Sequence, residues 1–431
     1  MELKQEEEVA EPVSPTGQYF NSSVLSVSVL GVLESQVPID DSPTLTLLQD
    51  VFLPINPRFS SIMVRDKNGV KQWKKVKVNL QDHINVPIFP NNSTQLYDQE
   101  FNDYLTKISL SQLPQSRPLW EIHIIKYPTK TAAGHVVFKL HHALGDGFSI
   151  MGALLSCLQR ADNPSLPLTF PQLRTDLSLD SEGSKGILNV FSAFLNTVSD
   201  FGWSLMKSSF AEDDRTPIRS GDDGVEFRPI DICTITFCLD QIKLIKSNLQ
   251  VTINDVITGI IFFGTRLYMQ QTGQDHSTKS NSTALVLLNT RNIAGYKSVD
   301  EMLTKSSRGK KNSAAVFLTG KLLDTSRKYI GPEATARHIH NTLKNSSMTV
   351  SNVVGPVEQM ALANHPCSGI YFMVVGVPQS LTITMVSYMG KLRVAVGTEK
   401  GHIDSDKYKS CIQNAFDMMF KVAVNSSTQT N

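Results

Sequence analysis

The sequence predicts an α/β protein of two mixed-sheet halves, and three observations carry that prediction. A chain of 431 residues exceeds what one hydrophobic core usually organises. Strand-like and helix-like patterns mix in both halves without strict alternation and without an internal repeat. Between the halves, from Asp162 to about Phe227, the composition turns to prolines and charge runs such as "AEDDRTPIRSGDDG". The expected division is a disordered acidic N-terminus over 1–15, an N-terminal subdomain over 16–175, a linker over 176–225 and a C-terminal subdomain over 226–431.

The elements follow in order. "SPTLTLLQDVF" (42–52) reads as a helix entered at Ser42 with Pro43 in its first turn, and "YDQEFNDYLTKISLSQL" (97–113) as a second. "WEIHIIKY" and "GHVVFKLHH" are strands, joined by the turn at 129–134 into an antiparallel hairpin. "FSIMGALLSCLQRA" (148–161) is an apolar helix. In the linker, apolar residues recur at helical spacing over 186–210, which suits either a core-facing crossover or a helix lying on a membrane surface.

Structure resumes with the strand "IDICTITFCLD", a helix from Asp240, and the helix beginning "TINDVITG", capped by Thr252 or Asn254 with Asp255 at its positive end. Strands are predicted at "ALVLLNTR" (284–291), "SSMTVSNVVG" (347–355), "GIYFMVVG", "SLTITMVSY" and "KLRVAVG", the last two joined across Met389-Gly390, and the chain closes with an amphipathic helix.

Charge and cysteine usage exclude several functions. With 41 Lys plus Arg against 40 acidic residues, no long-range field gathers nucleic acid. The five cysteines are scattered without a metal-type doublet, and Cys233 and Cys238 sit in an apolar, β-branched stretch that suits buried free thiols, so neither disulfides nor a metal site is expected. "MELKQEEEVAEPVSP" lacks the apolar core of a secretory signal, and no apolar run of about 18 to 20 residues marks a spanning helix.

The chemistry concentrates in "KLHHALGDGFS" (139–149). Adjacent strand residues point to opposite faces, so His141 and His142 cannot both ligate one ion while the strand continues. Gly145 and Gly147 suit a tight strand-to-helix turn that leaves one histidine at a cleft and turns the other inward. Asp146 can cap the next helix, pair with an arginine, or hold the turn. An imidazole, with a reference pKa of about 6.5, is a suitable general base for a hydroxyl or amine nucleophile. No serine nucleophile elbow is present, and no cysteine lies close in sequence.

The string His-His-x-x-x-Asp-Gly resembles the active-site motif of the chloramphenicol-acetyltransferase-like acyltransferases. "RPLWEIHII" with Trp120, "TINDVITG" with Asn254, "LLNTRN" with Arg291, and "MTVSNVVGPVE" with Ser351 and Asn352 narrow the resemblance to the plant-type bifunctional wax ester synthase/diacylglycerol acyltransferase family, over about residues 15 to 424. The resemblance implies two chloramphenicol-acetyltransferase-like subdomains with the active site and a tunnel at their interface.

It further implies that His142 is the general base, with His141 supporting it and Gly147 in the motif turn. Asp146 becomes a structural residue, with Arg291 as its candidate partner. Asn254, Ser351 and Asn352 are oxyanion or substrate candidates, though helix capping and turn formation account for the same residue types. The implied reaction transfers a fatty acyl group from acyl-CoA to a long-chain alcohol or diacylglycerol, with no acyl-enzyme, no metal, and no cofactor other than the acyl-CoA substrate. The expected location is a membrane surface, first the cytosolic face of the endoplasmic reticulum and second the plasma membrane.

One departure stands out. The family carries a strand with a Trp-Gly-Asn element after Asn-Thr-Arg, whereas here 292–313 is a charged loop and no tryptophan follows Trp203. Loss of a strand would remove ladder partners, which leaves open a catalytically impaired lipid-binding member of the fold. An acyltransferase using a different alcohol or amine acceptor also remains open.

Overall fold

The computed structural model describes residues 11–67, 70–90, 96–145, 147–170, 212–273, 280–287 and 331–428. It is a mixed α/β structure of two units, the first comprising residues 1–168 with 358–376 and the second 169–357 with 377–431.

The first unit is built on a seven-stranded sheet. Its strands, in spatial order, are β5 (Ile84–Asn85), β6 (Trp120–Ile125), β7 (Gly134–His141), β2 (Ser28–Ser35), β13 (His365–Val375), β12 (Met360–Leu362) and β8 (Gln159–Arg160). The predicted β6–β7 hairpin is present and antiparallel, with Trp120 opposite Leu140 and Ile124 opposite Val136. β2 lies between β7 and β13 and is buried along its whole length, which explains its near-continuous "SVLGVLES" pattern. A small sheet of β1 (Glu11–Pro12), β4 (Lys71–Lys75) and β3 (Ser61–Arg65) accompanies it.

The helices of this unit are α1 (Pro15–Phe20), α2, α3 (Asp98–Leu110) and α4 (Gly147–Ser156). α2 is a run of Thr44–Leu47, a wider π turn at Leu48–Phe52, and Leu53–Ile55. The helix expected over 148–161 stops at Ser156, because Gln159 and Arg160 pair instead with Ala361 and Met360. β12 and β13, which the sequence division places in the C-terminal subdomain, join the first unit's sheet because β13 pairs with β2 from Ser28 to Ser35.

The second unit has a five-stranded sheet ordered β10 (Ala284–Leu287), β11 (Met348–Val354), β14 (Leu381–Tyr388), β15 (Lys391–Glu399) and β9 (Ile230–Cys238). β10, β11 and β14 run parallel, and β14–β15 is the predicted hairpin, with Met389 and Gly390 both at positive φ. The core on one face includes Val350, Ile383 and Val394, with residues from α5 (Leu239–Leu249), α6 (Ile253–Thr272) and α8 (Ser405–Thr428). α7 (Pro332–Asn345) precedes β11. Cys233 is half-buried and Cys238 exposed, the latter because it ends β9 at the entrance to α5 rather than within the core.

α6 starts with a capping box: the Thr252 hydroxyl accepts from the Asp255 N–H at 3.2 Å, and the Asp255 carboxylate accepts from the Thr252 N–H at 2.9 Å. Further along, Gly264 lets α6 approach α8. A Cβ there would come within 2.7 Å of the Ile412 Cα, closer than real carbon contacts allow. Gly264→Ala is therefore expected to destabilise the chain by about 1–3 kcal/mol. A denaturant titration checks this, and an unchanged midpoint would contradict the contact.

Candidate functional site

The candidate site begins where β7 ends. His141 is the last strand residue, pairs with Ser28 of β2 and is fully buried. His142 follows as the first turn residue and is half-buried. Alternation along β7 assigns the two imidazoles to opposite faces, and the end of the strand leaves His142 beyond the ladder.

Each histidine is held by backbone. The His142 N–H donates to the Val27 carbonyl at 2.8 Å, the His141 N–H to the Leu119 carbonyl at 3.0 Å, and the Leu144 N–H to the His141 carbonyl at 3.0 Å. Phe20, the last residue of α1, packs its ring 4.5 Å from the His142 ring. Arg58 Nη1 donates to the Leu144 carbonyl at 3.1 Å while Nη2 pairs with Glu11 at 2.6 Å, fastening the loop from the other side.

The tautomer of His141 follows from its contacts. Nδ1 accepts the Ala143 N–H at 3.1 Å, so the proton sits on Nε2 and is donated to the Ser26 hydroxyl at 3.2 Å. Burial pushes the His141 pKa down to about 3, with His142, Lys71 and Lys139 adding repulsion to the cation. Gly376 supports this seat from the residue just after β13. At φ +79° it lies so close that a Cβ would fall 2.2 Å from the Ser26 carbonyl oxygen, so only glycine fits.

His141 shares its face of β7 with Lys139, whose ammonium donates to the Ser111 carbonyl and to the Ser111 hydroxyl at 2.6 Å. Desolvation brings the Lys139 pKa down to about 8, against the pull of Glu121. On β6, His123 is buried beneath α3 and hydrogen-bonds Tyr104 through Nδ1 at 2.8 Å, and burial lowers its pKa to about 3.

The remaining expectations divide. Gly147 opens α4 as an exposed residue at ordinary φ with no atom near its would-be Cβ, so neither a left-handed turn nor a close approach requires glycine there. Trp120 is wholly buried, donates to the Phe59 carbonyl at 2.9 Å and stacks on His83 at 4.0 Å, which makes it core packing. Thr252, not Asn254, caps α6. Asn254 is instead an exposed residue of the first turn whose Oδ1 accepts from Asn352 Nδ2 at 3.3 Å. Those two candidates are therefore together in the second unit, while neighbouring Ser351 is half-buried on the other face of β11.

Asp146, Arg291, the 186–210 segment and the shortened 292–313 region lie outside the described residues. Ser26, Phe20 and Arg58 were not legible as site residues, since they stand 84 to 122 positions before His142 in no recognisable motif. Among the described residues no helix is long and apolar enough to cross a membrane.

Comparison with known proteins gives the same outline. Residues 52–257 match the family model "Wax ester synthase/diacylglycerol acyltransferase catalytic domain", and residues 284–420 match "WS/DGAT C-terminal domain". Wax ester synthase/diacylglycerol acyltransferase 4 of Arabidopsis thaliana is 28% identical over 464 residues, covering 94% of this chain and 88% of its own. Wax ester synthase/diacylglycerol acyltransferase 5 of the same plant is also 28% identical, covering 95% and 92%. The solved wax ester synthase/diacylglycerol acyltransferase from Marinobacter aquaeolei VT8 superposes with a TM-score of 0.59 at 16% identity, covering 96% of this chain and 99% of that one, which establishes a shared fold.

With the buried neutral histidines, the sign of the acid response is set. His123 and His141 have folded pKa values below the unfolded value of about 6.5, so the unfolded chain binds more protons between pH 3 and 6.5. Their contribution is complete above about pH 6.5 and is lost as pH falls toward 3. At pH 5 the loss is roughly 2 kcal/mol for each histidine. Urea midpoints at pH 7 and pH 5 measure it, and His123→Asn is expected to narrow the gap.

Proposed function

The chain belongs to the wax ester synthase/diacylglycerol acyltransferase family and is an acyltransferase, and from that premise we propose that it joins a fatty acyl group from acyl-CoA to a long-chain alcohol or diacylglycerol, with His142 as general base. The observation that carries the assignment is the contrast within the histidine pair. His141 is sealed in the sheet with both ring nitrogens engaged, whereas His142 stands just past the strand end with its backbone tied down.

In the proposed reaction, Nε2 of His142, whose Nδ1 is buried, takes the proton of the acceptor hydroxyl as its oxygen attacks the thioester carbonyl. The tetrahedral oxyanion then collapses, the carbon–sulfur bond breaks, and the CoA thiolate recovers the proton from the imidazolium. An ester and free CoA result without an acyl-enzyme. Oxyanion stabilisation is assigned to the Asn254–Asn352 pair, with Ser351 as the third candidate. Because Asn352 donates to Asn254 Oδ1, the amide N–H groups of Asn254 remain available as donors. Asp146 with Arg291 completes the proposal as a structural pair. Attachment to a membrane surface, first that of the endoplasmic reticulum, is assigned to 186–210 and suits substrates that partition into bilayers.

Purified protein given palmitoyl-CoA with hexadecanol or with diacylglycerol is expected to release CoA. His142→Ala should abolish the release while the chain still unfolds cooperatively. Palmitoyl-CoA binding without turnover by the wild-type chain would favour the non-catalytic reading instead. An acceptor panel at fixed palmitoyl-CoA separates long-chain alcohols from soluble alcohols and amines.

Asn254→Ala or Asn352→Ala is expected to lower kcat on the order of a hundredfold at little change in KM. Rates within twofold of wild type for both variants would remove the pair from the reaction. Deletion of 186–210 should shift the protein from the membrane pellet to the supernatant.

A further inference from the structure

A short helix of the first unit ends against His142. α1 is capped by the Ser14 hydroxyl, which accepts the Gly17 N–H at 3.2 Å, and has Pro15 in its first turn. The buried Gln18 side chain donates back to the Val13 carbonyl at 2.8 Å. The entrance of the helix is thus tied down.

Its exit is tied to the histidine. After Phe20 the chain turns tightly, with the Ser22 hydroxyl accepting the Leu25 N–H at 3.1 Å, and comes back through Val27. Val27 then bonds on both sides: its N–H donates to the Phe20 carbonyl at 3.2 Å, and its carbonyl accepts the His142 N–H at 2.8 Å. One residue therefore joins two that are far apart in sequence. Within α1, Gly17 lies so near the motif turn that a Cβ there would come 3.2 Å from the Ala143 carbonyl oxygen. The helix rests on the backbone of that turn, and the Phe20 ring lies 4.5 Å from the His142 ring, tilted by 48°.

Phe20 is only half-buried, so hydrophobic gain is a partial account of a large ring at that place. The bond to Val27 fixes where the His142 side chain starts, but it does not choose among three staggered χ1 wells and two broad χ2 positions, about six orientations in all. A ring in contact with the imidazole does choose, because it occupies the space that other orientations would need. α1 carries no carboxylate and no cationic side chain, so its influence on His142 is one of shape.

We propose that Phe20 is a positioning residue of the reaction, its ring holding the His142 imidazole in the orientation that takes the acceptor proton. The proposal rests on the reading of His142 as general base.

Steady-state CoA release by the full chain with palmitoyl-CoA and hexadecanol tests it. Phe20→Ala is expected to lower kcat about fivefold, as the loss of one held orientation among about six requires, with KM within about twofold of wild type. Phe20→Tyr keeps the ring and is expected to stay within about twofold of wild type in both constants. If Phe20→Ala does not melt cooperatively, Phe20→Leu decides: it keeps apolar volume without the flat ring and is expected to lose about threefold in kcat. An unchanged kcat in the cooperatively melting variant, a loss confined to KM, or an equal loss of kcat in Phe20→Tyr would overturn the proposal. His142→Ala separates the two readings. A wild-type rate in His142→Ala, or no release by the wild-type chain, removes the base and this role with it, whereas an inactive His142→Ala beside an unaffected Phe20→Ala removes this role alone.

Discussion

The hydrogen bond from the His142 N–H to the Val27 carbonyl is the constraint on which the candidate site depends. It extends the β2–β7 ladder one residue past the last strand pair, so the backbone of His142 keeps sheet-like rigidity while its side chain leaves the sheet. A side chain on a free loop would sample many orientations and lose entropy on each encounter with substrate. Here that entropy is lost on folding, through a backbone interaction independent of side-chain chemistry.

The surrounding residues extend the same constraint. Ser26 precedes Val27 and holds the buried imidazole of His141, and Gly376, just past the end of β13, presses on the Ser26 carbonyl. Three segments distant in sequence thus meet at one dipeptide. The low pKa of His141 is a consequence of that seat, because a ring enclosed among lysines and apolar residues has nothing to stabilise a cation. His141 accordingly keeps one tautomer, which fixes its contacts on both sides.

Much of the fold was legible in the sequence because hydrophobic period and turn chemistry are local. The β6–β7 and β14–β15 hairpins, α3, α5 and α6 occur where apolar spacing and turn residues put them. The misses have a common origin in long-range pairing. The helix after His142 ends early because β12 takes residues 159 and 160, and β13 crosses into the first unit because β2 offers it an eight-residue edge. In the site, His142 was recognisable from its motif. Ser26, Phe20 and Arg58 were not, since a hydroxyl, a ring and a guanidinium become partners only once folding brings them near.

By itself the sequence determined the residue types able to do chemistry, the order of most strands and helices, and the balanced charge that rules out long-range steering. Those properties belong to single residues or to neighbours along the chain. Tertiary structure alone decided that His141 is sealed in the sheet while His142 falls just past the strand end, and that Asn254 meets Asn352. Burial and hydrogen-bond partnership depend on segments tens to hundreds of residues apart, and no local pattern encodes which of them will touch.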